Sequence, residues 1–133
     1  MTTSTSSCNQ KVKEAVDNTL PGLTLALAFE VGIIDALLQS DVAVTSKDIG
    51  HVKKLKPRYV TEILNCLVCA EMVDVEKTDE TIKYFIPKEN RCVFQIGNIP
   101  FVGLISSAAV RFHDMISRIH QDGPCGLPYG DNP

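Results

Sequence analysis

The chain has 133 residues, 44% hydrophobic and 22% charged, with a net charge of −3 and a pI near 5.5. This suffices for one compact domain with a modest core, and it excludes a global attraction to nucleic acid or to an anionic membrane. The five cysteines are an odd count with no secretory leader before them, so the expectation is a reduced, cytoplasmic protein with free thiols.

Residues 1–10, MTTSTSSCNQ, are polar and carry neither a basic n-region nor an apolar h-region, so they read as a disordered tip. A weak amphipathic helix covers residues 10–20 and stops at Pro21-Gly22. LTLALAFEVGIIDALLQ follows as a helix that is apolar on nearly every side, and such a helix has to be covered on more than one side. Its apolar run, residues 23–38, is too short for a bilayer and contains Glu30 and Asp35, so no membrane is expected. In VTSKDIGHVKKLKP, Thr45 or Ser46 caps a short helix with Asp48 in its first turn, Ile49 facing inward and Gly50 at its end. Pro57 suits the first turn of the next helix, in which Val60, Ile63, Leu64, Leu67 and Val68 repeat at core-facing spacing. MVDVEK and IKYFIP alternate as two strands joined by the polar turn at residues 78–81.

Helix, turn, helix and β-hairpin in this order make a winged helix. After an irregular stretch, Phe101, Leu104, Ile105, Ala108, Phe112, Met115, Ile116 and Ile119 recur at helical spacing on a last amphipathic helix. QDGPCGLPYGDNP reads as a linker or loop. The expected fold is mainly α: a winged helix-turn-helix with a small β-hairpin wing and flanking N- and C-terminal helices, over residues 11–120, with residues 121–133 as the linker.

Lys47, Lys53, Lys54, Lys56 and Arg58 place five basic side chains around Asp48, the outline of a phosphate clamp. A transcription regulator with this fold would contact DNA through Lys53, Lys54, Lys56, Arg58 and Asn65, the last two able to read base edges. Glu62 lies between those two, and the wing carries Glu71, Asp74, Glu76, Asp79 and Glu80 against Lys77. That sign repels a phosphate backbone, so a solvated basic loop beside an acidic hairpin is the better account. Nucleic acid is not an expected partner.

Cys66 and Cys69 form a CxxC late in a helix, without a second ligand pair to complete a zinc site and at the wrong helix end for a redox pair. They read as small structural cysteines. His51, His113 and His120 are scattered. No glycine-rich phosphate loop, nucleophile elbow or carboxylate pair is present, so no catalytic, cofactor-binding or metal residue is assigned.

In order and spacing, LALAFEVGIIDALLQ, VTSKDIGHVKKLKPRYVTEILNCLVCAEMVDVE and YFIPKEN resemble the N-terminal winged-helix domain of class I S-adenosylmethionine-dependent methyltransferases, the group related to small-molecule O-methyltransferases. Val31-Gly32-Ile33-Ile34-Asp35-Ala36-Leu37 stands where that module has a GLFDAL-like phrase. Thr45-Ser46-Lys47-Asp48-Ile49-Gly50 stands for its T-x-x-E/D-I/L-A phrase, and Arg58 through Val68 loosely matches R-x-x-x-x-x-L-x-x-L-V. GLPYGDNP resembles the linker into the catalytic domain.

The resemblance implies a module that does not grip DNA, but pairs with the same module of a second subunit and helps roof the substrate pocket. It also implies S-adenosylmethionine as the cofactor of the full-length protein, held by a GxGxG-type loop in a following domain. No such loop occurs in these residues. The expectation is therefore no cofactor and no activity in this chain alone, which is a fragment with a catalytic domain in cis, a truncated gene model or a paralogue. The expected homodimer interface is Leu27, Val31, Ile34, Phe101, Leu104, Ala108, Phe112 and Met115, with Ala26, Ala28, Gly32 and Ala36 small enough for close approach.

Overall fold

A computed structural model describes residues 5–95, 102–120, 122, 123 and 125. The helices are α1 (Thr5–Glu30), α2 (Ile33–Gln39), α3 (Ser46–Lys53), α4 (Pro57–Cys69), α5 (Val102–Val110) and α6 (Phe112–Ile119), with the hairpin strands β1 (Asp74–Lys77) and β2 (Ile82–Phe85) after α4. This is the expected mainly helical winged helix. Each boundary has a local cause.

Thr45 opens α3 with a capping box: the Asp48 N–H donates to its hydroxyl at 3.1 Å, and the Thr45 N–H donates to the Asp48 carboxylate at 3.1 Å. The helix does not end at Gly50. It runs to Lys53, and Lys54 closes it in the left-handed region at φ 57. Gly50 is buried for another reason: a Cβ there would stand 2.8 Å from the Leu55 carbonyl oxygen, so only glycine lets the turn into α4 pass this closely. Pro57 occupies the first turn of α4, and Val60, Leu64 and Leu67 are buried on its inner face. Ile63 and Val68 pack partly buried against the same core.

The Thr45 backbone N–H, and then its hydroxyl, hold the Asp48 carboxyl below the usual carboxylate range. A depressed folded value stabilises the fold above the unfolded value of about 3.9 and is lost as pH falls through the folded one. The unfolding midpoint of the wild type is thus expected to drop more steeply below pH 4 than that of Asp48→Asn. Parallel acid titrations of thermal unfolding check this, and superimposable slopes would remove the linkage.

The hairpin sets Asp74 opposite Phe85 and Glu76 opposite Lys83. The sequence reading did not contain a third element of this sheet. Val44, just before α3, bridges Tyr84 from the other side of β2, with N–H to O distances of 2.9 and 2.7 Å. Tyr84 is 1% exposed, and its hydroxyl donates to the Asn65 side-chain oxygen at 2.7 Å. The core closes around it with Ile33, Ile34, Leu37, Ile49, Val60, Leu64, Leu67 and Ile86.

Five expectations change outside the helix-turn-helix. Residues 5–10 belong to α1 and not to a disordered tip. Proline removes one helical hydrogen bond and usually stops a helix, yet α1 continues through Pro21 because its later turns pack on α4 and α5. The apolar stretch 23–38 is not one helix: it breaks at Val31-Gly32, where Gly32 takes φ 90 and the axis turns by 68°. The last helix is likewise divided, at Arg111, into α5 and α6. The stretch after Pro87, expected to be irregular, holds a 3-10 helix at Lys88–Phe94. Among the described residues no single helix is long and apolar enough to cross a membrane.

Candidate interaction face on the flanking helices

The groups that made DNA contact conceivable are largely engaged within the fold. Lys53 pairs with Asp35 at 2.6 Å, its stem lying over Gly32, where a Cβ would meet Lys53 Cδ at 3.1 Å. Lys56 stands 5.9 Å from the centre of the Tyr59 ring, and Arg58 is 3.5 Å from Glu62 one turn on. Asn65 holds the Tyr84 hydroxyl. Lys54 is exposed as the left-handed end of α3. Asp74, Glu76 and Lys77 are exposed on the wing, with Lys83 across from Glu76.

Cys66 is half-buried with its Sγ 3.5 Å from Thr24 Oγ1, so it fastens α4 to α1, while Cys69 is exposed. Among the described residues no group of three or more His, Cys, Asp or Glu side chains is placed to hold a metal ion. A cleft of about 790 Å³ between the end of α2, the hairpin and the 3-10 helix is lined by charges of both signs. Its arginine, Arg91, is spent on the carbonyl oxygens of Leu37 and Ser40 at the end of α2.

The apolar surface lies elsewhere. A groove of about 650 Å³ runs between α1 and α5–α6, walled by Leu23, Ile105, Ala108, Ala109, Phe112 and Met115, with Asn18, Thr19 and His113 at its rim. Around it Leu104 is 64% exposed, Phe112 59% and Ile119 80%. No residue of α6 is buried, although Phe112, Met115, Ile116 and Ile119 share one face.

Of the expected interface residues, Leu27, Leu104, Ala108, Phe112 and Met115 are exposed around this groove or on the adjoining face of α1. Val31 is half-buried against the core. Ile34 is a correction: at 0% exposed it is part of this chain's own core, because the bend at Gly32 turns α2 inward. Ala26 and Ala28 are buried as well and offer no surface. Phe101 lies outside the described residues.

Sequence reading missed Val12, Val16 and Leu20, exposed apolar residues on the first half of α1. The signal was their four-residue spacing, which lies within the helix expected over residues 10–20.

Residues 20–95 match the family model of the Rv2258c-like winged HTH domain. The chain belongs to that family. None of the curated proteins matches it. Among solved structures its fold is similar to that of human N-acetylserotonin methyltransferase in complex with SAM, at a TM-score of 0.54 and 14% identity. The likeness covers 68% of this chain and 26% of that one, so the chain spans about a quarter of the enzyme's length. At this identity the likeness is one of fold. The two findings agree on a winged-helix fold.

Proposed function

We propose that the chain is a non-catalytic pairing and substrate-lid module of an S-adenosylmethionine-dependent methyltransferase, working with a catalytic domain in cis or derived from such an enzyme. The observation that carries this reading is the apolar groove between α1 and α5–α6, bordered by exposed Leu27, Leu104 and Phe112. A contiguous apolar surface with a polar rim marks an interaction site, and a two-fold pair needs only one self-complementary face to cover it. The cofactor is assigned to the catalytic domain and none to this chain. DNA binding is the lesser reading, since Lys53 is paired with Asp35, Asn65 holds the Tyr84 hydroxyl, and the exposed Arg58 stands beside Glu62.

Sedimentation equilibrium at tens of micromolar is expected to show a dimer. Leu104→Glu should shift it to monomer without changing the unfolding midpoint, because Leu104 faces solvent in the single chain and an unpaired carboxylate in the joined face has no compensation. A monomeric wild type, or a dimer untouched by Leu104→Glu, would discard the interface.

A further inference from the structure

Sulfur-bearing side chains gather where α4 ends. Cys66 and Cys69 lie one turn apart on α4, neighbours on one face of the helix with Cβ atoms roughly 5–6 Å apart. The chain then doubles back. The Met72 N–H donates to the Leu67 carbonyl at 2.9 Å and the Glu71 N–H to the Val68 carbonyl at 3.0 Å, the paired bonds of a Schellman turn. Such a turn needs a left-handed residue, and Glu71 supplies it at φ 62, where glycine is usual. The turn returns Met72 to the helix end that carries both cysteines. Cys66, Cys69 and Met72 line one cavity of about 590 Å³, walled on its other side by Leu20, Pro21 and Gly22 of α1.

The donors decide what such a cavity takes. Two thiols and a thioether are soft ligands, and soft sulfur selects Cu(I). Zinc wants four donors in a tetrahedron, which these do not complete. Metal–thiolate bonds of about 2.3 Å put two sulfurs roughly 4–5 Å apart across an ion. Side chains on adjacent turns of one helix face span that distance. The last carbonyls of α4 carry the negative end of the helix dipole, which favours a cation there. Thr24 supports one ligand from α1: its hydroxyl lies 3.5 Å from Cys66 Sγ. A hydroxyl accepts from a thiol and donates to a thiolate, so it holds Cys66 before and after the proton leaves.

We infer that Cys66, Cys69 and Met72 form a site for one Cu(I) ion between α4 and α1. On binding, each cysteine gives its thiol proton to solvent and forms a metal–sulfur bond. The Met72 thioether adds a lone pair and releases nothing. The ion stays Cu(I) throughout, so no oxidant or reductant takes part, and affinity rises with pH as protons are released. The third donor is a thioether, so the site differs in kind from the histidine, cysteine and carboxylate clusters that are absent among the described residues. It does not depend on the pairing proposed above.

Anaerobic titration of the reduced whole chain with Cu(I), against a chromophoric Cu(I) chelator, tests the site. Cys8, Cys92 and Cys125 are exposed, so replacing all three with serine removes background binding by other thiols. That chain is expected to bind a single Cu(I) that a large excess of Zn(II) does not displace. Cys69→Ser, at an exposed position, should weaken binding at least about a hundredfold, the upper end of the loss when a group that only supports a ligand is removed. Met72→Leu preserves side-chain volume and should weaken binding about tenfold, with the unfolding midpoint of the metal-free chain unchanged. No binding by the serine-substituted chain, an ion shared between two chains, displacement by zinc, or full affinity in Cys69→Ser would each overturn the site. Full affinity in Met72→Leu would strike the third donor, and with it the site as drawn.

Discussion

Replacing Tyr84 with alanine is expected to destabilise the domain by about 3–5 kcal/mol, the range for removing a buried aromatic. A domain of this size holds only about 5–15 kcal/mol in total. The effect is large because one residue serves three connections. Its ring is 1% exposed in the core. Its backbone bridges Val44, which ties the segment before α3 to the wing. Its hydroxyl reaches Asn65 on α4 at 2.7 Å.

Tyr84→Phe separates these. It keeps the ring and the backbone and loses only the hydroxyl bond, whose net worth is about 1 kcal/mol. Urea denaturation of both variants checks the pair. An alanine variant that loses less than about 1.5 kcal/mol would mean that the core relaxes into the gap and Tyr84 is no hub.

The same residue shows what was legible in the sequence. The alternation of IKYFIP marked a strand with Tyr84 inside, because a two-residue period is a local property. Its partner Val44 lies 40 residues earlier in a segment too short to carry a period of its own, so the bridge between them left no signal. The capping box at Thr45 and Asp48 and the inner stripe of α4 were legible for the same reason of locality. Pro21 misled because the rule that proline stops a helix describes the isolated chain, and packing on α4 and α5 overrides it.

The residues expected at an interface divide along this line. Leu104 and Phe112 are exposed, as their periodicity implied. Ile34 was misplaced because its exposure depends on the bend at Gly32, and a φ of 90 cannot be read from a helix wheel. Val12, Val16 and Leu20 lie within the helix expected over residues 10–20, but their line on to Leu23 and Leu27 was not followed across Pro21.

Arg91 is the case that no local rule could reach, and its removal is the second large effect expected. The guanidinium, 24% exposed, comes from the 3-10 helix and donates to the carbonyl oxygens of Leu37, at 2.8 Å, and Ser40, where α2 ends. Those carbonyls carry the negative end of the helix dipole, so a fixed positive charge there is favourable as well as a donor. The neighbouring Asp41 adds little, because it is 99% exposed and 3.9 Å away.

A hydrogen bond to a charged group is worth about 1.5–3 kcal/mol, and two of them partly open to water amount to about 2–4 kcal/mol. Arg91→Ala should lose that much in urea denaturation and speed amide exchange in the last turn of α2. Both bonds come from one nitrogen, Nη2, and an ammonium likewise carries its donors on one nitrogen, so Arg91→Lys should recover a large part of the loss. A loss below about 0.5 kcal/mol for Arg91→Ala, within the range of an ordinary surface change, would show that water replaces the guanidinium and that α2 holds its end without it.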